Sequence, residues 1–174
     1  HRLFMIPAGT PHGSSEGNVV LEVSATPYLY SLRFYDWLRR DADGLHRPVH
    51  VDHAFANLNA ERIGTDVARE LLQPARRLRQ GDGWYEELLG ALPNVFFEVR
   101  RIVLRPDASA ENDTAGRFHL LNVVEGEAVA IETTADAPHR LNYAETLVVP
   151  AAVGRYRIRQ LGGTPVRIVK ALVR

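Results

Sequence analysis

Tyr156-Arg157-Ile158-Arg159-Gln160 decides the fold, because its side chains alternate: Arg157 and Arg159 share one face and Tyr156, Ile158 and Gln160 share the other. A period of two marks a strand with one wet face. On either side lie Phe96 to Leu104, Arg117 to Val124, Ala128 to Thr133, Thr146 to Val149 and Val166 to Val173, separated by Gly, Pro, Asn or Asp. These also read as strands. Six short strands at this spacing predict a mainly β fold, a sandwich or barrel, over residues 94–174.

Upstream the pattern changes. Asp52 is placed to cap a helix carrying Phe55 and Leu58, and Ile63, Val67 and Leu71 fall four apart, as in a second amphipathic helix that Pro74 ends. Gly81-Asp82-Gly83 reads as a turn and Trp84 to Leu89 as one further helical turn, so 51–93 is expected to be a helical connector. Before it, Asn18 to Ala25 and Tyr28 to Tyr35 read as strands. Val20, Glu22 and Ser24 share one face of the first, and Arg33 falls in the second. Residues 1–50 are thus expected to be the C-terminal part of a preceding β unit. His1 to Ile6 looks like a strand already under way without an initiator methionine, which predicts a piece of a longer chain.

The chain has 174 residues, 45% hydrophobic and 24% charged, with zero formal net charge, as expected of a soluble globular protein. No overall field favours nucleic acid or an anionic membrane, and neither is expected as a partner. Cysteine is absent, which excludes disulfides, thiolate metal sites and cysteine nucleophiles and fits a cytoplasmic location. No apolar run approaches the ~20 residues that span a bilayer. Lys170 is the only lysine, and the arginines form no single block.

Chemistry is concentrated near the start. In Ile6-Pro7-Ala8-Gly9-Thr10-Pro11-His12 two prolines stiffen the chain and a glycine permits a tight turn, so the His12 imidazole is held as a metal ligand would be. A loop histidine without a role fits the same residues. His46, His50 and His53 have metal-like spacing, but Pro48 interrupts any continuous helix, so they read as loop and helix-cap residues. Arg76, Arg77 and Arg79 form a basic cluster that would suit a phosphate or RNA, but it reads first as a solvated connector face.

Pro7-x-Gly9-x-x-His12 resembles the second motif of the cupins, which are double-stranded β-helix barrels of the jelly-roll type. Leu3 to Ala8 is echoed by Thr146 to Ala151, as in two duplicated barrel units. Glu16 stands where cupins often have asparagine, and the His-x-His motif would lie before residue 1. Val123-Val124-Glu125-Gly126-Glu127 is similar to the end of that first motif and puts His119 at its glutamate position. No His-x-His precedes it, so the C-terminal barrel is expected to be metal-free and His119 structural.

A closer resemblance is to the class I mannose-6-phosphate isomerases, also called phosphomannose isomerases. It is carried in order by Ile6 to His12, Val20-Leu21-Glu22-Val23, Arg33-Phe34-Tyr35-Asp36-Trp37-Leu38-Arg39 and Arg47-Pro48-Val49-His50-Val51-Asp52-His53-Ala54. The resemblance implies an aldose–ketose isomerase that converts mannose 6-phosphate and fructose 6-phosphate. It implies zinc, with His12 as one ligand and the others before residue 1, and it puts Glu22 and Arg33 in the active site. Proton transfer between C1 and C2 passes through an enediol, whose oxyanion a cation stabilises while a carboxylate carries the proton. A solvated strand carboxylate and a cross-strand salt bridge are the plainer roles of Glu22 and Arg33.

The expected function is therefore that of a sugar-phosphate isomerase, with the fragment inactive by itself. A non-catalytic sugar-binding or regulatory cupin protein is the alternative, and a structural interaction module a third. An incomplete first barrel would leave strand edges through which copies could pair into a homo-oligomer.

Overall fold

A computed structural model describes residues 2–25, 31–135 and 137–174. Two compact units are distinguished: residues 6–67, and residues 2–5 with 68–174. His1 and the proposed strand residues Tyr28, Leu29 and Tyr30 lie outside the described residues.

The larger unit is mainly β. Its strands are β1 (Arg76–Gly81), β2 (Trp84–Gly90), β3 (Phe97–Leu104), β4 (Ser109–Asp113), β5 (His119–Glu125), β6 (Ala128–Glu132), β7 (His139–Asn142), β8 (Thr146–Val149), β9 (Arg155–Leu161) and β10 (Val166–Val173). All pairings between them are antiparallel. One sheet runs β1-β2-β3-β10-β5-β8 and the other β4-β9-β6-β7. Strands β3 to β10 are therefore shared between the two sheets in the order of a jelly roll, with β6 and β7 as the one consecutive pair in the same sheet, the two-Greek-key arrangement that cupins use. The β1–β2 hairpin extends the first sheet at its β3 edge. Among the described residues no strand ladder joins the two sheets; a single bridge between Val123 and Tyr143 is the contact of this kind.

Alternation builds the core. Val166 and Ile168 of β10, Ile102 and Leu104 of β3, and Leu121 and Val123 of β5 meet Ala110 of β4, Ile158 of β9, Val129 and Ile131 of β6 and Leu141 of β7. Each of these eleven side chains is buried, and burial of this kind is the main favourable term in folding. In β9 the predicted alternation holds, with Tyr156, Ile158 and Gln160 buried and Arg155, Arg157 and Arg159 exposed. Gly126, in the turn between β5 and β6, has φ +88, and a Cβ there would stand 2.6 Å from Pro165 O. Only glycine fits.

Two expectations are corrected in this unit. Trp84 to Leu89 is not helical but belongs to β2, and Arg76 to Gln80 is not a bare connector but belongs to β1. Tertiary pairing decides here: Glu86 faces inward to Lys170, Glu87 pairs with Arg101, and the strand buries both carboxylates.

The unit of residues 6–67 contains the helix α1 (Val51–Ala56) and the first three residues of α2 (Thr65–Leu71), whose last four belong to the larger unit. His50, not Asp52, occupies the N-cap of α1, and Asp52 sits in its first turn. Neither 18–25 nor 31–35 forms a strand, and residues 2–8 carry none either. β-branched residues alone do not make a strand without a paired neighbour, and Val19 and Val20 are 98% and 69% exposed. Val19, Val20, Leu21, Trp37, Leu38 and Phe55 all lie at the surface, and Pro7, Asp36 and Ala54 are the buried residues among those described.

Candidate functional site

The His12 loop is fixed by its own residues. Gly9 has φ +78, and a Cβ there would lie 2.9 Å from Asn57 O. Asn59 N donates to Gly9 O at 2.9 Å, Thr10 N donates to Pro7 O at 3.2 Å, and Arg62 Nη1 donates to Thr10 Oγ1 at 3.3 Å. Held in this way, the loop ends in an exposed imidazole whose Nδ1 lies 3.0 Å from Thr10 O. A carbonyl oxygen only accepts, so Nδ1 carries the proton. Nε2 of the neutral ring is then left with its lone pair, the state of a ligating or proton-accepting histidine.

The other residues drawn from the sequence are placed less decisively. Glu22 is exposed on an extended, unpaired segment. Arg33 is half-buried; its backbone N donates to His50 Nδ1 at 3.3 Å, and His50 N donates to Arg33 O at 2.7 Å. No hydrogen bond or ion pair links His12, Glu22 and Arg33 to one another among the described residues. His46 Nδ1 lies 3.2 Å from Leu38 O, so His46 and His50 serve the local backbone. Among the described residues no group of three or more His, Asp or Glu could hold a metal ion. These residues alone therefore do not make a zinc site, and His12 is a single donor of the correct tautomer.

A second cluster, not singled out by the sequence analysis, fills one end of the jelly-roll core. Lys170 of β10, Glu86 of β2, Asn112 of β4, His119 of β5 and Tyr156 of β9 are all buried. Lys170 Nζ lies 2.5 Å from Glu86 Oε1 and donates to Asn112 Oδ1 at 3.1 Å. Arg79 of β1 donates through Nε to Glu86, through Nη2 to Asn112 Oδ1 at 2.6 Å and through Nη1 to Glu111 O at 2.6 Å. Arg100 of β3 pairs with Glu98 and lies 3.6 Å from Glu86. His119 Nδ1 and Tyr156 Oη share a hydrogen bond of 2.7 Å. One signal was present in the sequence: Lys170 is in phase with Val166, Ile168 and Leu172 on the buried face of β10.

The electrostatics follow from burial and crowding. Burial, then the Lys170 and Arg100 charges, push His119 down to about 4, so the ring is neutral. Burial also lowers Lys170 to about 8, with Glu86 opposing that shift. For Glu86 burial acts upward, but Lys170 and Arg79 together outweigh it and hold the carboxyl below its ordinary value. Burial raises the Tyr156 hydroxyl above its ordinary value. The result is a closed network in which an ammonium group stands among the donors that a metal would need. The network joins β1, β2 and β10 of one sheet to β4 of the other.

No family model matches the chain, and no curated protein matches it. Solved structures resemble it in part. The cupin domain of Cnp3 from Schizosaccharomyces pombe is 14% identical over 52% of this chain and 60% of that one, with a TM-score of 0.45. KdgF from a Halomonas species is 15% identical over 56% and 86%, with a TM-score of 0.46. A sugar phosphate isomerase of the cupin superfamily from Silicibacter pomeroyi is 17% identical over 53% and 60%, with a TM-score of 0.45. Among the described residues no helix is long and apolar enough to cross a membrane. What the chain has in its own strand order is the jelly roll of the cupins, a fold that serves enzymes and non-enzymes alike.

Proposed function

We propose that this chain is part of a sugar-phosphate aldose–ketose isomerase of the phosphomannose isomerase type. The observation that carries the reading is the His12 ring, which the Pro7–Thr10 turn holds with Nδ1 bound to Thr10 O and Nε2 free to accept. In this reading His12 is one zinc ligand, and the remaining donors come from outside the 174 residues. Glu22 handles the proton and Arg33 the substrate oxygens. The exposed apolar side chains of residues 6–67, Val19 and Leu38 among them, support the same view. A patch of exposed apolar side chains marks a surface suited to a partner segment or chain. The jelly roll, its interior occupied by the Lys170 cluster, has a supporting role.

The test is an isomerase assay with mannose 6-phosphate, run with a metal determination on the longest natural form of the protein. Loss of both zinc and turnover in His12→Ala, and loss of turnover with zinc retained in Arg33→Ala, are the expected results. Unchanged zinc and turnover in His12→Ala would refute the assignment. A non-catalytic sugar-binding or regulatory cupin protein is the second reading, and the observation that favours it is the filled, ion-paired interior of the jelly roll.

A further inference from the structure

One groove of the larger unit has a charge that the rest of the chain does not share. It has a volume of roughly 520 Å³ and is formed by the β1–β2 hairpin, the chain after β3, and β10. Three arginines from separate elements line it, Arg77, Arg105 and Arg167, against one acidic residue, Asp82. The chain as a whole has zero formal net charge. Arg167 is paired with Glu125. Arg77 has a different kind of support: its guanidinium lies 3.6 Å from the centre of the Tyr85 ring and donates to Gln80 Oε1 at 3.3 Å. An aromatic face and a neutral amide orient that cation without neutralising it. Arg105 is exposed and forms no ion pair among the described residues. A Cβ at Gly81 would stand 2.4 Å from Trp84 Nε1, so only the bare glycine lets the indole lie against this turn and form part of the wall.

We propose that this groove binds the phosphate of a small phosphomonoester, with Arg77 and Arg105 as its principal contacts. Guanidinium groups present paired N–H donors that match phosphate oxygens, and a partly enclosed groove screens them less than open solvent does. The size suits a monosaccharide phosphate and not a polymer, since nucleic acid would need a basic stripe along the surface. The site lies entirely within residues 68–174, and it stands or falls independently of the His12 reading.

Calorimetric titration of the full chain with inorganic phosphate, fructose 6-phosphate and fructose tests the proposal. Phosphate and fructose 6-phosphate are expected to bind and to compete, and fructose is expected to give no signal. Arg77→Ala and Arg105→Ala should each weaken binding by on the order of tenfold, whereas Arg155→Ala, outside the groove, should leave it unchanged. The hydrogen bonds of Arg105 are made by its backbone, whose N donates to Gly83 O and whose O accepts from Ala108 N, so Arg105→Gln keeps them and repeats the test. A failure of phosphate to bind overturns the proposal, as does binding that persists in the Arg77→Ala/Arg105→Ala protein or falls equally in Arg155→Ala. Binding of fructose comparable to that of fructose 6-phosphate would also overturn it.

Discussion

Lys170 and Glu86, on strands that lie on either side of β3 in one sheet, meet inside the jelly roll with Nζ and Oε1 2.5 Å apart and side chains 2% and 0% exposed. Burying two charges costs several kcal/mol each, and their attraction offsets that cost only when the remaining donors and acceptors are also met. Here Asn112 accepts from Lys170 and Arg79 donates to Glu86 Oε2, while Glu86 Oε1 has the Lys170 charge, and that of Arg100 at 3.6 Å, in place of a hydrogen bond. The pair thus ties the extending hairpin to the jelly roll proper, because Glu86 comes from the hairpin and Lys170 from β10.

Removing one partner leaves the other charged and buried. Lys170→Met is expected to lower unfolding stability by about 3–5 kcal/mol, and the double variant Lys170→Met/Glu86→Leu to recover much of that loss. Urea unfolding of the two proteins measures the difference. Equal destabilisation by the single and double variants would show that the pair is not coupled.

His119 predicts an acid limb. Its folded value of about 4 lies below its ordinary 6.5, so between these pH values the unfolded chain binds the proton and the folded one does not. Stability is then fully present above pH 6.5 and falls as pH drops toward 4, by on the order of 3 kcal/mol from this group. Urea midpoints at pH 7 and pH 4.5 should differ less in His119→Gln than in the natural protein. An unchanged pH difference would assign the acid limb to other groups.

Lys170 predicts a rise on the alkaline side. With a folded value of about 8 against an ordinary 10.5, the unfolded chain holds the extra proton between them, so stability grows as pH rises through that window. The raised Tyr156 hydroxyl opposes this above pH 10, where the unfolded phenol ionises first. Unfolding midpoints at pH 7.5 and pH 9.5 check the sign, and Lys170→Met should remove the increase.

Arg79 bridges the sheets through Glu86, Asn112 and Glu111 O. Arg79→Ala should cost about 3 kcal/mol by unpairing buried acceptors. Hydrogen exchange should show faster opening of β1 and β4 than of β10. Uniform acceleration of all strands would mean that Arg79 is not a local clasp.

The larger fold was legible because burial follows a strict period of two. Thr146–Val149 and Val166–Val173 were bounded correctly, and Tyr156 to Gln160 carried its alternation intact. β4 and β7 are not legible in the sequence, because Ser109–Asp113 and His139–Asn142 are short and polar and become strands only through their partners β9 and β6. β2 misled because Glu86 and Glu87 side by side look like helix surface, whereas their partners Lys170 and Arg101 lie far along the chain. The interior cluster was hidden for the same reason, since sequence shows that Lys170 is in phase with apolar residues but not that Glu86 awaits it. The turn before His12 was legible from Pro7 and Gly9, whereas the apolar run at Val19 to Val23 promised a strand that the described residues do not pair.

Metal content and isomerase turnover, measured side by side for His12→Ala and His119→Ala in the longest natural form of the protein, test most directly where the chemistry resides. Zinc and turnover lost in His12→Ala but retained in folded His119→Ala is the predicted result. Zinc retained without His12, or lost without His119, would contradict it and move the active centre into the jelly roll.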